Sequence, residues 1–259
     1  MPARRSAEKP YIGIIGGTGM YRIDDGESER GMQIGKFGGK RVAFLPRHGV
    51  GHSIPPHMIG YKENIQKLDD AGVSRLISTT AVGSLREDYR PGDLVITDQF
   101  INMTHGRDDT FFHDKVVHVS TAYPYCSELR EVAADSAKAL GYRFHESGTV
   151  VVVNGPRFST RAESKFFGSM GADIINMTQY PEVALAREKG MCYLNISVIT
   201  DYDSGIDGKE IDQVSYEEVN RVFEANMEKV RTLLSDIVSK IGNERKCDCG
   251  SSLDMAVKG

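Results

Sequence analysis

Apolar residues alternate between two spacings along the chain. YIGIIGG (11–17), RVAFLPR (41–47), SRLISTTAVG (74–83), DLVITDQFI (93–101), GTVVVVNG (148–155), ADIINMT (172–178) and MCYLNISVITD (191–201) are short apolar runs rich in β-branched residues. They predict strands, several buried on both faces. Between them, YKENIQKLDDAG (61–72), CSELREVAADSAKALG (126–141), RAESKFFGSMG (161–171) and PEVALAREKG (181–190) carry apolar residues at helical spacing. Each closes on a glycine in the C-cap region: Gly72, Gly141, Gly171 and Gly190. A last long helix is expected to open on a capping box of Ser215 and Glu218. Val219, Val222, Phe223, Val230, Leu233, Leu234, Ile237, Val238 and Ile241 carry its apolar face. Without repeat, linker or low-complexity tract, this alternation predicts one α/β domain over residues 10–243, with the long helix laid across it. Residues 1–9 read as a disordered basic tail, and 244–259 as a polar C-terminal tail.

Composition narrows the function classes. The 259 residues are 40% hydrophobic and 26% charged, with a net charge of −4. That balance excludes a broad electrostatic grip on nucleic acid or anionic lipid. No apolar stretch approaches the roughly 20 residues of a membrane span. The opening MPARRSAEKP has arginines but no apolar core behind them, so no secretion signal is expected. The expected location is cytoplasmic. There, Cys126, Cys192, Cys247 and Cys249 default to reduced thiols. Cys247-Asp248-Cys249 sits in a polar tail, and no further pair of ligands is near it in sequence, so no metal site is expected. A disulfide and inert thiols remain open for this tail.

Gly13, Gly16, Gly17 and Gly19 crowd the end of the first predicted strand in GIIGGTGM (13–20). A dinucleotide fingerprint needs a third glycine where Arg22 stands, and a P-loop needs a lysine that is missing here. What remains is a strand end offering backbone N–H groups and the Thr18 hydroxyl to a small anion, or a tight strand-to-strand turn. LPRHG puts Arg47 and His48 at the end of another strand, and STTAVGSLRE puts Thr79, Thr80 and Gly83 at the end of a third. Ligands of α/β sheets bind beyond the carboxyl ends of the strands. Singly, Arg47 reads as a surface ion-pair partner and Thr80 as an ordinary strand residue. Jointly they suit one free phosphate held by charge-assisted bonds.

IGIIGGTG, PRHG with the following PPH, TTAVGSLREDYRPGDLVITDQFI, NGPRFSTRAES, INMTQYPEVALARE and ITDYDSG follow one another from about residue 11 to the C-terminal cysteines. In this order they resemble the trimeric nucleoside phosphorylases, most nearly the 5′-methylthioadenosine phosphorylases and their archaeal relatives. The resemblance implies a central mixed β-sheet flanked by helices, and no cofactor beyond inorganic phosphate as co-substrate. It implies that Thr18, Arg47, His48, Thr80 and Ala81 bind phosphate. Met177 and Thr178 would lie under the ribose and beside the phosphate, and Phe158 and Ser159 would flank the purine. Asp201 and Asp203 would recognise the base. His118 would reach the 5′ end of the nucleoside in a neighbouring subunit, so a homotrimer or a dimer of trimers is implied. The end ERKCDC resembles the C-x-C terminus of archaeal members, which carry disulfides. A Cys247–Cys249 bridge would be strained and contribute little, whereas a Cys126–Cys192 bridge would close a long loop and contribute about 3–5 kcal/mol.

The chemistry of phosphorolysis asks for these residue types. Phosphate must be positioned beneath C1′ of an oxocarbenium-like ribose, and the departing purine needs a proton donor at N7. A carboxylic acid donates only if burial or a like charge raises its pKa; Asp201 and Asp203, two apart in TDYD, suit that task. Asp201 is the expected donor, with Asp203 as its partner near the 6-position. A carboxylate acceptor also matches the 6-amino group of adenine, whereas the oxopurine branch resembles an asparagine-plus-glutamate arrangement. Methylthioadenosine is therefore the expected substrate. Tyr216, where the methylthioadenosine enzymes carry a small aliphatic residue, and MTQYPE keep a 6-oxopurine or broad-specificity phosphorylase as the alternative. A nucleoside hydrolase would leave Arg47 and Thr80 without a task.

Overall fold

The computed structural model describes residues 11–17, 27–29, 31–49, 51–206, 214–254 and 256. Thr18 and the 1–9 tail lie outside the described residues. The chain opens with β1 (Ile12–Gly16), followed by β2 (Glu27–Glu29), β3 (Met32–Phe37) and β4 (Lys40–Pro46). Then α1 (Tyr61–Asp70) leads into the long β5 (Arg75–Ser84), with β6 (Leu94–Ile96) and β7 (Gln99–Met103) after it. Next come α2 (Ser127–Ala139), β8 (Phe144–His145), β9 (Thr149–Val153), α3 (Arg161–Ser169) and β10 (Ile174–Asn176). Finally α4 (Gln179–Glu188), β11 (Cys192–Asp201), α5 (Tyr216–Ala225) and α6 (Met227–Lys240) complete the regular structure.

These strands form one mixed sheet, as expected. β4, β1, β5 and β11 run parallel at its centre, and β5 also pairs antiparallel with β10. Successive residues of a strand face opposite sides, so the apolar run of β1 serves two cores. Ile12 and Ile14 join the core that includes Leu129, Phe223, Leu233 and Leu234, while Ile15 joins Ile65, Leu68, Val183 and Leu185. No helix of the described residues is long and apolar enough to cross a membrane.

The register of β5 fixes where a ligand can sit. β1 pairs with β5 only as far as Ile15 opposite Ser78, whereas β5 runs on to Ser84. Gly83 is one residue from the end of β5, as the sequence suggests, but Thr79 and Thr80 are not at a strand end. They lie on a strand that outruns its neighbour, continuing alongside β10 and β11.

Other expectations change for local reasons. DLVITDQFI is two strands: Leu94–Ile96 pairs with β11, and Gln99–Met103 pairs with β9. The corner lies at Thr97 and Asp98, where the Asp98 carboxylate accepts the Gly148 N–H at 2.9 Å. The long C-terminal helix is broken at Asn226, whose side-chain amide donates to the Val222 carbonyl at 2.8 Å before α6 restarts. Ser215 caps α5 by accepting the Glu218 N–H, but the Glu218 carboxylate binds Arg221 instead of closing a box. The reciprocal box belongs to Thr160 and Glu163 at the start of α3.

The C-terminal segment is no loose tail. Arg245 donates to the Gly190 carbonyl, Ser252 to that of Arg187, and Cys249 is buried against the main core. No sulfur–sulfur bond joins any two of the four cysteines, so neither expected bridge, Cys126–Cys192 or Cys247–Cys249, is shown. The fold instead sets Cys192 beside Cys247, with their sulfurs 3.3 Å apart.

Candidate active site

A cavity of about 430 Å³ opens beyond the carboxyl ends of β1, β4, β10 and β11, along the overhang of β5. Gly17 follows β1 and lies against that overhang. Its N–H donates to the Thr79 hydroxyl, and a Cβ there would stand 2.5 Å from the Thr79 carbonyl oxygen, so only glycine permits the approach.

Arg47 follows β4 and is 1% exposed. Its Nε and Nη2 donate to the two carboxylate oxygens of Glu182 at 2.7 and 2.8 Å, Nη2 also to the Ser78 hydroxyl, and Nη1 to the Thr79 carbonyl. A guanidinium has five N–H donors, so one remains on Nη1. Glu182 also accepts the Tyr193 hydroxyl at 2.7 Å. Burial opposes the Arg47 charge, but Glu182 more than offsets it and holds its pKa above the usual value. His48 is different. Burial and the adjacent Arg47 push its pKa down to about 4, so it is neutral at pH 7. Its Nδ1 lies 2.9 Å from the Ile54 carbonyl, an acceptor, so Nδ1 carries the hydrogen and Nε2 keeps its lone pair.

Thr80 is 2% exposed on the β5 overhang, with its hydroxyl near Asn195 and Ser197, and Ala81 follows it in the cavity wall. Thr178 is placed by an Asn176 turn at the end of β10. The Asn176 side-chain oxygen accepts the N–H groups of Thr178 and Gln179 at 2.6 and 2.7 Å. The neighbouring Met177 is held through its carbonyl by Arg107, which also bonds the carbonyls of Asn154 and Tyr180.

Asp201 ends β11 opposite Gly83, where a Cβ would meet its carboxylate at 2.9 Å. Thr200 donates to one Asp201 carboxylate oxygen at 2.7 Å and the Asp203 N–H to the other at 2.8 Å. Burial first, helped by the Asp203 charge, raises the Asp201 pKa to about 6 despite these donors. Burial raises Asp203 as well, and its Oδ2 is buried without a hydrogen-bond partner. Arg47 touches Thr79 and Asp201 faces Gly83. At about 3.3 Å per strand residue, the cation and the acids are therefore about 13 Å apart along β5. Phe158 and Ser159 line the same cavity, as do Tyr216, which is 53% exposed, and His52, which stacks on His48. His118 does not line it; it is exposed in a second groove with Phe112 and Val116.

One cavity thus offers an arginine N–H and hydroxyls to an anion, a neutral histidine whose Nε2 can accept from a protonated phosphate oxygen, and two unusually basic carboxyls to a group that takes a proton. Residues 11–239 match the family model described as Phosphorylase superfamily. The chain belongs to the phosphorylase superfamily. Among its relatives, the S-methyl-5′-thioadenosine phosphorylase of Thermofilum pendens is 51% identical, over 96% of this chain and 99% of that protein. The S-methyl-5′-thioadenosine phosphorylase of Saccharolobus solfataricus is 48% identical, over 96% and 98%. Among solved structures, the methylthioadenosine phosphorylase of Schistosoma mansoni in complex with tubercidin superposes with a TM-score of 0.85 at 34% identity, covering 95% of this chain and 96% of that one. A point mutant of the adenosine/methylthioadenosine phosphorylase of that organism, in complex with methylthioadenosine, gives 0.82 at 35% identity, covering 92% and 93%.

For a phosphorylase, the residues that sequence reading missed are supporting ones. Glu182 is a buried acid at helical spacing from buried Leu185 and Ala186, an ionisable group on an apolar stripe. That pattern was legible. Arg107 and Asn176 act through backbone carbonyls and a turn, and no local pattern of THGRDD or INMT marks them.

Proposed function

We propose that this cavity cleaves 5′-methylthioadenosine by phosphorolysis, giving adenine and 5-methylthioribose 1-phosphate. The observation that carries the reading is the pairing of two groups in one cavity. Arg47, His48, Thr80 and Thr178 gather about 10–13 Å along a strand from Asp201 and Asp203, roughly the span of phosphate, ribose and purine. The phosphate oxygen attacks C1′ as the C1′–N9 bond breaks, and the purine takes a proton at N7. With Arg47 already paired to Glu182 and His48 neutral, the phosphate is held mainly by hydrogen bonds that leave its attacking oxygen charged. Asp201 supplies the proton, its pKa of about 6 being close to the working pH of a general acid. The unpartnered Asp203 oxygen suits the 6-amino hydrogens of adenine. The substrates named for the Thermofilum and Schistosoma relatives support the same choice.

Phe158 and Ser159 are assigned to the purine, Met177 to the ribose face, and Thr18 and Ala81 to the phosphate. His118, outside this subunit's cavity, is assigned to a neighbour's nucleoside, which makes the working species a homotrimer or a dimer of trimers, in the cytoplasm. Tyr216 at the cavity wall favours a second reading, a broader purine nucleoside phosphorylase in which its phenol bonds a 5′-hydroxyl. The test is release of adenine from methylthioadenosine with and without phosphate, beside adenosine, inosine and guanosine. Release that persists without phosphate would mean a hydrolase. Preference for inosine would establish the second reading.

A further inference from the structure

Two central strands carry polar residues at alternate positions of otherwise apolar runs. Ser78 and Thr80 of β5 face Asn195 and Ser197 of β11 in register, and all four are buried. Thr97, just after β6, and Gln179, the first residue of α4, close this cluster and are buried as well. Buried polar groups find partners, so the direction of each bond can be followed inward from the ends of the network. One end is the ion pair. Ser78 donates to Glu182 at 3.0 Å and accepts an Arg47 N–H at 2.6 Å, and the Asn195 amide nitrogen donates to it at 3.0 Å. The Asn195 oxygen is thereby turned to the hydroxyls of Ser197 at 2.7 Å, Thr80 at 3.2 Å and Thr97 at 3.3 Å. The other end is Tyr125, whose hydroxyl lies 2.6 Å from the Gln179 side-chain oxygen. Burial pushes this phenol well above its ordinary pKa, so it keeps its hydrogen and donates. The Gln179 amide nitrogen must then face Ser197 at 3.1 Å and Thr80 at 3.4 Å.

We propose, on the reading of Thr80 as a phosphate ligand, that Gln179, fixed by Tyr125, is the positioning residue that turns the Thr80 hydroxyl toward the phosphate. Three hydroxyls surround an Asn195 oxygen that has two lone pairs. Ser197 holds the shortest of these bonds, and Thr97 reaches Asn195 and Ser197 from inside the core. Thr80 alone of the three also lines the cavity, so its hydrogen is the one that can turn outward. It does so without loss because the Gln179 N–H keeps a bond on its oxygen. A hydroxyl that accepts such a bond is also the stronger donor to the next group. Reversed, Gln179 would set its own oxygen against Thr80 and draw that hydrogen into the core. Tyr125 opposes the reversal, since its O–H would then meet an N–H. Gln179 and Tyr125 thus act on the anion through Thr80, from behind the cavity wall, and a change in either should register on phosphate and not on the nucleoside.

The test is the phosphate KM of the whole enzyme, read against the KM for methylthioadenosine. Gln179→Met fills similar space without the N–H and should raise the phosphate KM about three- to tenfold, the loss of one neutral hydrogen bond, with the nucleoside KM unchanged. Tyr125→Phe keeps the ring and should shift the phosphate KM in the same direction by releasing the Gln179 amide. A double-mutant cycle separates positioning from damage to the core. Thr80→Val removes the hydroxyl, keeps the shape and should raise the phosphate KM about ten- to a hundredfold. In that background neither Gln179→Met nor Tyr125→Phe should raise it further. If Gln179→Met does not fold, the cycle of Tyr125→Phe with Thr80→Val decides alone. Equal rises with and without the Thr80 hydroxyl overturn the proposal, as does a phosphate KM that Thr80→Val leaves in place. A phosphate-dependent parent whose folded Gln179→Met and Tyr125→Phe variants keep its phosphate KM refutes the positioning role and spares the phosphorolysis reading. A parent that releases adenine equally well without phosphate refutes both.

Discussion

A buried acid with a raised pKa costs stability whenever it is ionised, and Asp201→Asn should expose that cost. The Asp201 pKa is about 6 in the folded chain against an ordinary 3.8. The folded state therefore holds a proton that the unfolded state has lost. Stability from this group is complete below the unfolded value and falls as pH rises through the folded one. At about 1.4 kcal/mol per pH unit, the loss is about 3 kcal/mol at pH 7.5 and about 1 kcal/mol at pH 4.5. Asparagine removes the titration but accepts only one of the two bonds from Thr200 and the Asp203 N–H, a pH-independent cost of about 1–2 kcal/mol. The variant should then be more stable than the parent by about 1–2 kcal/mol at pH 7.5 and equal or less stable at pH 4.5. The change between the two pH values, about 2 kcal/mol, is the quantity to measure, because the altered hydrogen bonds cancel in it. His48, with its pKa lowered to about 4, acts in the opposite sense, since its stability is complete above the ordinary 6.5 and is lost as pH falls. It is present in both proteins and cancels as well. Urea unfolding of parent and variant at the two pH values gives the number. A difference constant to within about 0.5 kcal/mol would show that Asp201 ionises like an exposed carboxylate. The argument for it as proton donor would then fail.

The same variant should lower kcat for methylthioadenosine by about two to four orders of magnitude, the range of general acid catalysis, and lower inosine turnover much less. The ratio of the two kcat/KM values is the check, and equal losses would take Asp201 away from the 6-position. Arg47→Ala should raise the phosphate KM about ten- to a hundredfold and leave the nucleoside KM nearly unchanged, as for the loss of a charged hydrogen bond worth about 1.5–3 kcal/mol. It also leaves Glu182 buried without its cation, which should cost about 3–5 kcal/mol in urea unfolding; an unmoved phosphate KM would remove Arg47 from the anion site. Tyr216→Val should improve kcat/KM for methylthioadenosine relative to adenosine if the phenol crowds the thioether. An unchanged ratio would place the 5′ group elsewhere.

The strand and helix pattern was legible wherever burial was continuous, as in YIGIIGG and MCYLNISVITD. It failed where a polar side chain redirected the backbone. Thr97 and Asp98 turn one apolar run into two strands with different neighbours, and the Asn226 amide interrupts a helix whose apolar spacing gives no warning. MQIGKF was missed because Gly35 and Lys36 break its alternation. Of the proposed site residues, those on or just beyond strands could be placed by order alone, and the cavity brings together Arg47, His48, Thr80, Thr178, Asp201 and Asp203. What sequence order cannot give is register. The sequence places Thr80 at a strand end because nothing in STTAVGSLRE says that β1 stops opposite Ser78. The cysteines fail for the same reason, since proximity across the fold is not spacing along the chain.

The pairing of Arg47 with Glu182 also governs how the protein meets an anion at a distance. A guanidinium whose charge is cancelled by a carboxylate at 2.7 Å projects little field beyond a Debye length of about 8 Å in physiological salt. Capture is then decided by shape on contact, with little long-range steering, and its rate depends only weakly on ionic strength. Abundant anions of the wrong outline gain nothing from such a pocket. Nor does surplus charge grip a phosphorylated product once the bond is made. A reaction that takes up one dianion and must discard another each cycle is served by a site that recognises anions without hoarding them.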